Sequence, residues 1–248
     1  MPADPVPAAA RTLDVLETFQ GVGRPLSLSE LARLTRIPIS TCHGLVRTLE
    51  QRGFLYYPSQ REAYPTRKLL ELARDIDARD PVVARLGPAL AGLRDATQET
   101  VILGMRQGDA ALYLLVLDSP QIVRYTAHAG EFKPLHSSSI GKTFLGGMPD
   151  EALDAWLRAH PLPRVTSGTI TSGRALKRNL QESRERGYYM TRGENVADVM
   201  AVAAPLNAGS AQLDIAIAGP LHRMEEQRDK HVDRLRATVR AIERQAHG

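Results

Sequence analysis

The sequence predicts an α+β protein in which an amino-terminal winged helix-turn-helix domain is followed by a linker helix and a carboxy-terminal α/β domain. Three observations predict it: a helix-capping box at Ser27 and Glu30, a proline break at Pro38 between two short amphipathic helices, and strand-like runs alternating with helices after residue 80. The expected boundaries are residues 1–65 for the first domain, 66–79 for the linker helix and 80–248 for the second domain.

The first domain is expected to begin with two helices. Leu13, Leu16 and Phe19 recur at the three-residue spacing of a helix face and predict a helix that ends at Gly21. A second helix starts at the capping box, and its apolar positions are Leu28, Leu31, Ala32 and Leu34. Because the residue before a proline is pushed out of the helical region, Arg36–Pro38 is predicted to be a tight connection.

The polar face of the next helix points to DNA. Ser40 or Thr41 is expected to cap this helix, and Gly53 to stop it in a left-handed conformation. The residues predicted to face inward are Leu45, Val46 and Leu49, and those predicted to face outward are Thr41, His43, Gly44 and Arg47. Since a polar face near a helix N-terminus suits the major groove, double-stranded DNA is the leading partner.

Aromatic segments and basic charge surround this pair of helices. Phe54–Tyr57 and Ala63–Tyr64 flank the turn residues Pro58–Glu62, which predicts a β-wing. From Arg24 to Lys68, eight basic residues against three acidic ones give a net charge of +5, whereas the whole chain carries +4. The positive field is therefore concentrated where DNA would bind. Composition alone would equally suit a solvated basic surface on a small helical domain.

Residues 66–78 have the pattern of a helix with an apolar stripe. The stripe consists of Leu69, Leu70, Leu72, Ala73 and Ile76 among alternating charges. One interpretation is a contact with a second copy of the chain, since specific operators usually need two recognition helices at a set spacing. The other is a connecting helix that packs on its own chain, and the pattern leaves both open.

Beyond Asp80 and Pro81 the pattern is that of a mixed α/β domain. Helices are predicted over Val82–Ala96, over Leu176–Arg186 and in a closing segment with Val232, Leu235, Val239 and Ile242 on one stripe. Strands are predicted at Thr100–Leu103, Ala111–Val116, Ile122–Tyr125, Tyr188–Met190, Met200–Ala204 and Leu213–Ala218, with a turn across Asn207–Ser210 before the last. Such a domain is large enough to hold a small molecule.

Composition is that of an ordinary globular protein. Of 248 residues, 43% are hydrophobic and 24% are charged, and no apolar run approaches the roughly 20 residues that cross a bilayer, so no membrane partner is expected. The opening MPADPVPAAA lacks the segments of an export signal and is expected to be frayed. A lone cysteine, Cys42, is interpreted as a packing residue in a protein of the reducing cytoplasm.

The sequence contains no complete enzymatic motif. Ser139–Thr143 carries the Gly-Lys-Thr end of a phosphate-binding loop, but His136 stands where that motif needs glycine. Without a nucleophile elbow, paired-histidine zinc spacing or a cysteine cluster, no catalytic residue, cofactor or metal is expected. Two other hypotheses are a small-molecule hydrolase or transferase that uses Ser137–Ser139 and carries an accessory nucleic-acid domain, and an architectural DNA-binding protein that senses nothing.

Ordered motifs along nearly the whole chain resemble those of the isocitrate-lyase-regulator (IclR) family of transcriptional regulators. They are Arg11–Leu16, Leu26–Ala32, Ser40–Thr41, Thr48–Phe54, Pro134–His136 with Gly141–Lys142, and Ala203–Pro205 with Gly219–Pro220. The resemblance implies a regulator rather than an enzyme, with a winged helix-turn-helix, a linker helix used in dimerisation and a GAF/profilin-like effector-binding domain. It also implies homodimers or dimers of dimers.

The resemblance also implies residues for the DNA face. They are Ser40, Thr41, His43, Gly44 and Arg47, with Arg52 and the wing residue Arg61 as phosphate contacts. Many family members have an arginine where this chain has Gly44, and the missing side chain would let the helix sit closer to the bases. Arg47 is the best candidate for guanine, since a planar guanidinium makes a bidentate contact.

For the effector, the resemblance implies a pocket between the loop after Pro134–His136 and the last strands. The residues expected there are Ile122, Tyr125, Lys133, Ser139, Ile140, Gly141, Arg192, Ala201, Ala216 and Ala218. Several family members have a cysteine and two serines where this chain has the three alanines, so the expected effector is a bulkier, more apolar organic acid than glyoxylate. Lys133 or Arg192 is expected to supply the positive charge for its carboxylate.

Overall fold

The computed structural model describes residues 6–207 and 212–247, and it divides the chain into two compact units, Met1–Asp80 and Pro81–Gly248. Each unit has a hydrophobic core of its own. The predicted α+β fold, with a winged helix-turn-helix and an α/β domain, is confirmed. Among the described residues, no helix is both long and apolar enough to cross a membrane.

The first unit is a helical domain with a small antiparallel sheet. Its elements are α1 (Pro7–Val22), β1 (Leu26–Ser27), α2 (Leu28–Thr35), α3 (Ile39–Gln51), β2 (Leu55–Ser59), β3 (Glu62–Pro65) and α4 (Lys68–Asp77). The three strands lie in the order β1-β3-β2, so that β2 and β3 form the predicted wing. The core is contributed by α1, α2, α3 and all three strands, whereas α4 has no buried residue.

The capping box holds the start of α2 as predicted. The Ser27 Oγ accepts from the Glu30 backbone N–H at 3.3 Å, and the Ser27 N–H donates to Glu30 Oε2 at 2.9 Å. After α3, Gly53 has φ +73°, which confirms the left-handed stop. The expected cap of α3 is wrong: Pro38 occupies the N-cap position without a side-chain hydrogen bond, and the helix already begins at Ile39, ahead of Ser40 and Thr41.

The amino terminus also differs from expectation. Pro7 stands in the first turn of α1, so the expected fraying of the first ten residues is wrong for Pro7–Ala10, while residues 1–5 lie outside the described part. A proline at the first helical position has no N–H to leave unpaired, and the alanines after it are the best helix formers. Gly23, with φ +69°, terminates this helix.

The second unit is a six-stranded antiparallel sheet covered by helices. Its elements are α5 (Pro81–Thr97), β4 (Thr100–Gln107), β5 (Ala110–Leu117), β6 (Phe132–Pro134), α6 (Ser139–Gly147), α7 (Asp150–Ala159), α8 (Gly173–Arg186), β7 (Tyr189–Arg192), β8 (Val199–Asn207), β9 (Gln212–Pro220), α9 (Leu221–Glu226) and α10 (Arg228–His247). The strand order is β6-β5-β4-β9-β8-β7.

This sheet separates two cores. In β9, Leu213, Ile215 and Ile217 belong to the core shared with α5 and α10, whereas Ala216 and Ala218 belong to the core shared with α6, α7 and α8. The two-residue alternation of a strand produces this division. The face toward α6 is therefore built from small side chains at the centre of the sheet.

One predicted strand is absent. Ile122–Tyr125 is a loop because its carbonyls are taken by side chains instead of a neighbouring strand: Thr100 Oγ1 donates to Tyr125 O at 2.6 Å, and Arg223 Nη2 donates to Val123 O at 3.0 Å. The edge of the sheet is formed by β6. The predicted turn across Asn207–Ser210 lies, beyond Asn207, outside the described residues.

Candidate nucleic-acid interface and small-molecule cavity

One face of α3 is exposed and polar. Ser40, His43, Gly44 and Arg47 are exposed and Thr41 is half-buried, whereas the residues of the opposite face, Cys42, Val46 and Leu49, are buried in the first core. The spacing of three and four residues places the exposed set on one side of the helix. The structure therefore brings together the five α3 residues that the sequence selected for DNA.

Gly44 leaves open space on this face. A Cβ built at Gly44 would meet no atom within 4 Å, so nothing in the chain itself requires glycine there. The Gly44 carbonyl is held within the helix and also accepts from Thr48 Oγ1 at 2.8 Å. A side chain at this position would extend from the exposed face of α3 without meeting another part of the chain.

Arginines flank the exposed face of α3. Arg52 follows the end of α3, where its carbonyl accepts from Lys68 Nζ at 2.8 Å, and Arg61 lies at the turn between β2 and β3. Within residues 6–207 and 212–247, no ion pair is found for Arg47, Arg52 or Arg61, although Arg24 pairs with Glu30 at 2.7 Å. These three guanidinium groups are available to phosphates or bases.

The second unit contains a cavity on the alanine-lined face of its sheet. About 360 Å³ of space between its lining residues is free of atoms, a volume that includes open solvent at its mouth. The sheet contributes Ile102, Tyr113, Ala201 and Ala218 to its wall. The other walls come from Ser138 and Ser139 at the start of α6, from Tyr125, and from the segment between β7 and β8.

The structure brings together only part of the predicted effector set. Tyr125, Ser139, Ala201 and Ala218 line the cavity. Ile140, Gly141 and Ala216 are buried in the core around it, and Gly141 packs directly on the Leu135 backbone, where a Cβ would not fit. These three positions shape the site from behind its surface.

Three predicted residues lie elsewhere. Ile122 is 96% exposed in the loop that replaces the predicted strand. Arg192 pairs with Glu225 at 2.8 Å on the surface, so its charge is already compensated. Lys133 is closer: its Nζ pairs with Glu131 at 2.6 Å and lies 5.7 Å from the centre of the Tyr113 ring. The cavity wall therefore has no predicted cation in direct contact with it.

The start of α6 gives the cavity wall a partial positive charge. Ser138 is the N-cap: its Oγ accepts from the Gly141 N–H at 3.2 Å and donates to Pro134 O at 2.7 Å. The first turn of a helix leaves further N–H groups without partners inside the helix, and they favour an anion. Tyr113, in the sheet, has a raised pKa. Burial is the main cause and the neighbouring Tyr125 is the next, so the Tyr113 hydroxyl stays protonated.

Several lining residues were not predicted from the sequence. Tyr113 could have been found, because it alternates with Ala111 on the inner face of β5. Thr191, Asn195, Val196 and Val199 carry no comparable signal, since the sequence does not show that the segment after β7 folds over the sheet.

His136 and Ser138 have structural partners. The buried His136 ring bonds through Nε2 to Pro163 O at 2.9 Å, and burial lowers its pKa. Ser138 is occupied by the two capping bonds. Among the described residues, no group of His, Cys, Asp and Glu could hold a metal ion.

A winged helix-turn-helix followed by an α/β domain with a small cavity on its sheet defines a class of DNA-binding transcriptional regulators, and comparisons identify the family. The IclR helix-turn-helix domain model matches residues 8–59, and the model for the C-terminal domain of the bacterial transcriptional regulator IclR matches residues 74–244. The chain belongs to the IclR family. The predicted resemblance is thus confirmed, as is the prediction that the chain is a regulator rather than an enzyme.

Similarity to individual proteins supports the same family assignment. The HTH-type transcriptional regulator BhcR of Paracoccus denitrificans is 33% identical over 226 residues, which cover 89% of this chain and 80% of that protein. The Thermotoga maritima IclR crystal structure matches with a TM-score of 0.80 and 25% identity, over 96% of this chain and 98% of that chain. An IclR homolog from Microbacterium hydrocarbonoxydans, crystallised in complex with 4-hydroxybenzoate, matches with a TM-score of 0.78 and 26% identity, over 97% and 99%.

Proposed function

We propose that this regulator binds operator DNA as a homodimer or a dimer of dimers, and that a relatively apolar or aromatic carboxylate in the cavity changes its operator affinity. In this proposal residues 1–65 bind DNA, 66–79 form the dimerisation helix and 80–248 bind the effector. The observation that carries it is the cavity itself, in which a helix N-terminus faces an alanine-lined sheet.

The chemistry of the cavity supports this class of ligand. The first turn of α6 suits a carboxylate, because its free N–H groups and the helix dipole favour negative charge. Ala201, Ala218 and Ile102 suit an apolar or aromatic body, which a wall of serines would not. The hydroxyl groups of Tyr113 and Tyr125 offer hydrogen bonds to a second polar group. The 4-hydroxybenzoate named for one structural relative has this combination.

The DNA-binding part of the proposal rests on α3 and the wing. Arg47 on the exposed face is assigned to a base, and Arg52 and Arg61 to phosphates, with Ser40, Thr41, His43 and Gly44 completing the α3 surface. Leu72 and Ile76 lie one turn apart on α4 and are exposed, so an apolar stripe is available for a second copy. Effector binding would act by favouring one arrangement of the two recognition helices over another.

The proposal is tested with the purified full chain. High-affinity duplexes are first selected from a random DNA pool, and thermal shifts are then measured with a panel of aromatic and aliphatic carboxylates that includes 4-hydroxybenzoate. We expect an aromatic acid to stabilise the protein and to change its affinity for the selected duplex at a fixed salt concentration. Ala218→Glu, which places a carboxylate in the cavity, is the matched control and should abolish both effects. Equal operator affinities with and without every stabilising acid would refute the coupling.

A further inference from the structure

A fully buried lysine lies directly behind the cavity. Lys142 is on α6, one turn after Ser138 and Ser139, and its side chain has no solvent exposure. Its Nζ donates to Glu194 Oε1 at 2.7 Å, to Asn179 Oδ1 at 2.9 Å and to Met190 O at 3.3 Å. An ammonium group has three N–H donors, so all of them are used. The Gly-Lys pair that fails as a phosphate-binding loop therefore has another role.

Glu194 belongs to a short segment whose backbone also accepts hydrogen bonds from two threonines. This segment, residues 193–198, links β7 to β8, and its first two carbonyls accept from threonine hydroxyls: Thr166 Oγ1 to Gly193 O at 2.5 Å and Thr169 Oγ1 to Glu194 O at 2.7 Å. Gly193 has φ +66°, and a Cβ there would meet the Ala197 carbonyl at 2.6 Å. Glycine is therefore required for the turn.

The same segment is a wall of the cavity. Asn195 and Val196 line it, together with Val199 at the start of β8. Asn195 Nδ2 also donates to Ser137 Oγ at 3.2 Å, just before α6. The contact between Lys142 and Glu194 thus connects two neighbouring walls of the cavity, the helix that contributes Ser139 and the segment that contributes Asn195 and Val196.

We propose that Lys142 and Glu194 are positioning residues that set effector affinity by holding the 193–198 segment against α6. The inference rests on the proposed function in one respect, namely that the occupant of the cavity is the effector. A buried ion pair is a poor source of stability, because apolar residues of the same volume often serve as well. What such a pair supplies is geometry, since each partner has few positions in which its charge is satisfied.

The first test needs no ligand. Backbone amide exchange is compared between the wild type, Lys142→Met and Glu194→Gln, with Lys177→Met as the control, because Lys177 forms an ion pair with Asp154 of the same 2.7 Å length on the surface. We expect exchange in residues 194–199 to accelerate about tenfold, with less than about a twofold change in the centres of β8 and β9. Equal acceleration throughout the second unit, or none, would show that the pair only stabilises the fold and would overturn the proposal.

The second test measures binding. For each acid that the wild type binds in the carboxylate panel, with 4-hydroxybenzoate as the first probe, we expect both variants to raise Kd about tenfold and Lys177→Met to leave it unchanged. An unchanged Kd in both variants would also overturn the proposal. If the wild type binds no acid, the proposed function fails while amide exchange still decides the role of the pair. Glu194→Gln, which keeps the shape and an acceptor oxygen, serves if Lys142→Met does not fold.

Discussion

The stability of the second unit should decrease as the pH rises toward 8, because of a single buried acid. Asp214 lies on β9 with no solvent exposure, and neither of its carboxylate oxygens has a hydrogen-bond partner. Burial raises its pKa to about 8, and the hydroxyl of Thr143, whose own hydrogen bond goes to Ile140 O at 2.5 Å, lowers the pKa by less. The folded chain therefore holds a proton here at neutral pH.

The sign and size of the effect follow from proton linkage. In the unfolded chain Asp214 ionises near pH 3.8, so between about pH 4 and pH 8 the folded state binds one proton more than the unfolded state. Stability then falls with rising pH by at most about 1.4 kcal/mol per pH unit and levels off above pH 8. From pH 6.5 to pH 7.5, we expect this group to reduce the free energy of unfolding by about 1 kcal/mol.

Asp214→Asn removes this proton without changing the size of the side chain. We expect the pH-dependent loss between pH 6.5 and 7.5 to disappear in the variant, whatever the absolute stability of the buried amide. Urea unfolding is followed by the fluorescence of Trp156, the only tryptophan of the chain, which lies on α7 in the same unit as Asp214. Parallel pH profiles for wild type and variant would mean that Asp214 is ionised or hydrated in the folded protein, and the reasoning would be wrong.

Three further predictions concern other single residues. Burial lowers the pKa of His231 to about 4, so the stability that its neutral form provides above pH 6.5 is lost as the pH falls toward 4. Between pH 6.5 and 4.5, the free energy of unfolding in urea should fall by about 2 kcal/mol more for the wild type than for His231→Leu. Gly44→Ala should stabilise the first unit by about 1 kcal/mol in thermal unfolding, and it should weaken operator binding if DNA approaches the bare backbone, whereas unchanged binding would refute that approach. Arg47→Ala should reduce the binding free energy by about 1–3 kcal/mol for the selected operator and by little for random DNA. Arg61→Ala should weaken binding to both DNAs alike and reduce the salt dependence of binding. If both variants bind DNA like the wild type, the assignment of α3 and the wing to DNA is refuted.

The helix-turn-helix was predictable because its determinants are local. The capping box, Pro38 and Gly53 act within a few residues, and the structure places each at the helix boundary that its chemistry dictates. The helical periodicity predicted less accurately which side chains are buried. Leu13 and Leu34 fit the apolar repeats of α1 and α2, yet both are exposed, since helical spacing selects a side of the helix and not the width of the buried stripe.

The cavity was only partly predictable, because its walls come from segments distant in sequence. Ala201 and Ala218 follow from strand alternation once the strands are recognised. The prediction for Ile122 was wrong because β-branched residues in an exposed loop have the same local pattern as a strand. The hydrogen bonds that occupy Tyr125 O and Val123 O come from the side chains of Thr100 and Arg223, which are distant in sequence. Contacts across such separations leave no mark in a local sequence pattern.

The same alternation explains why the cavity lies on one side of the sheet. The core against α5 and α10 is filled by large aliphatic side chains, whereas the opposite face of β8 and β9 presents alanines and Asp214. Small residues leave volume for a ligand, and Lys142, Glu194 and Asp214 are buried on the same side of the sheet at an energetic cost that an apolar core would avoid. A layer that is less stable in this way is the part of the domain in which ligand binding can most readily favour one arrangement over another.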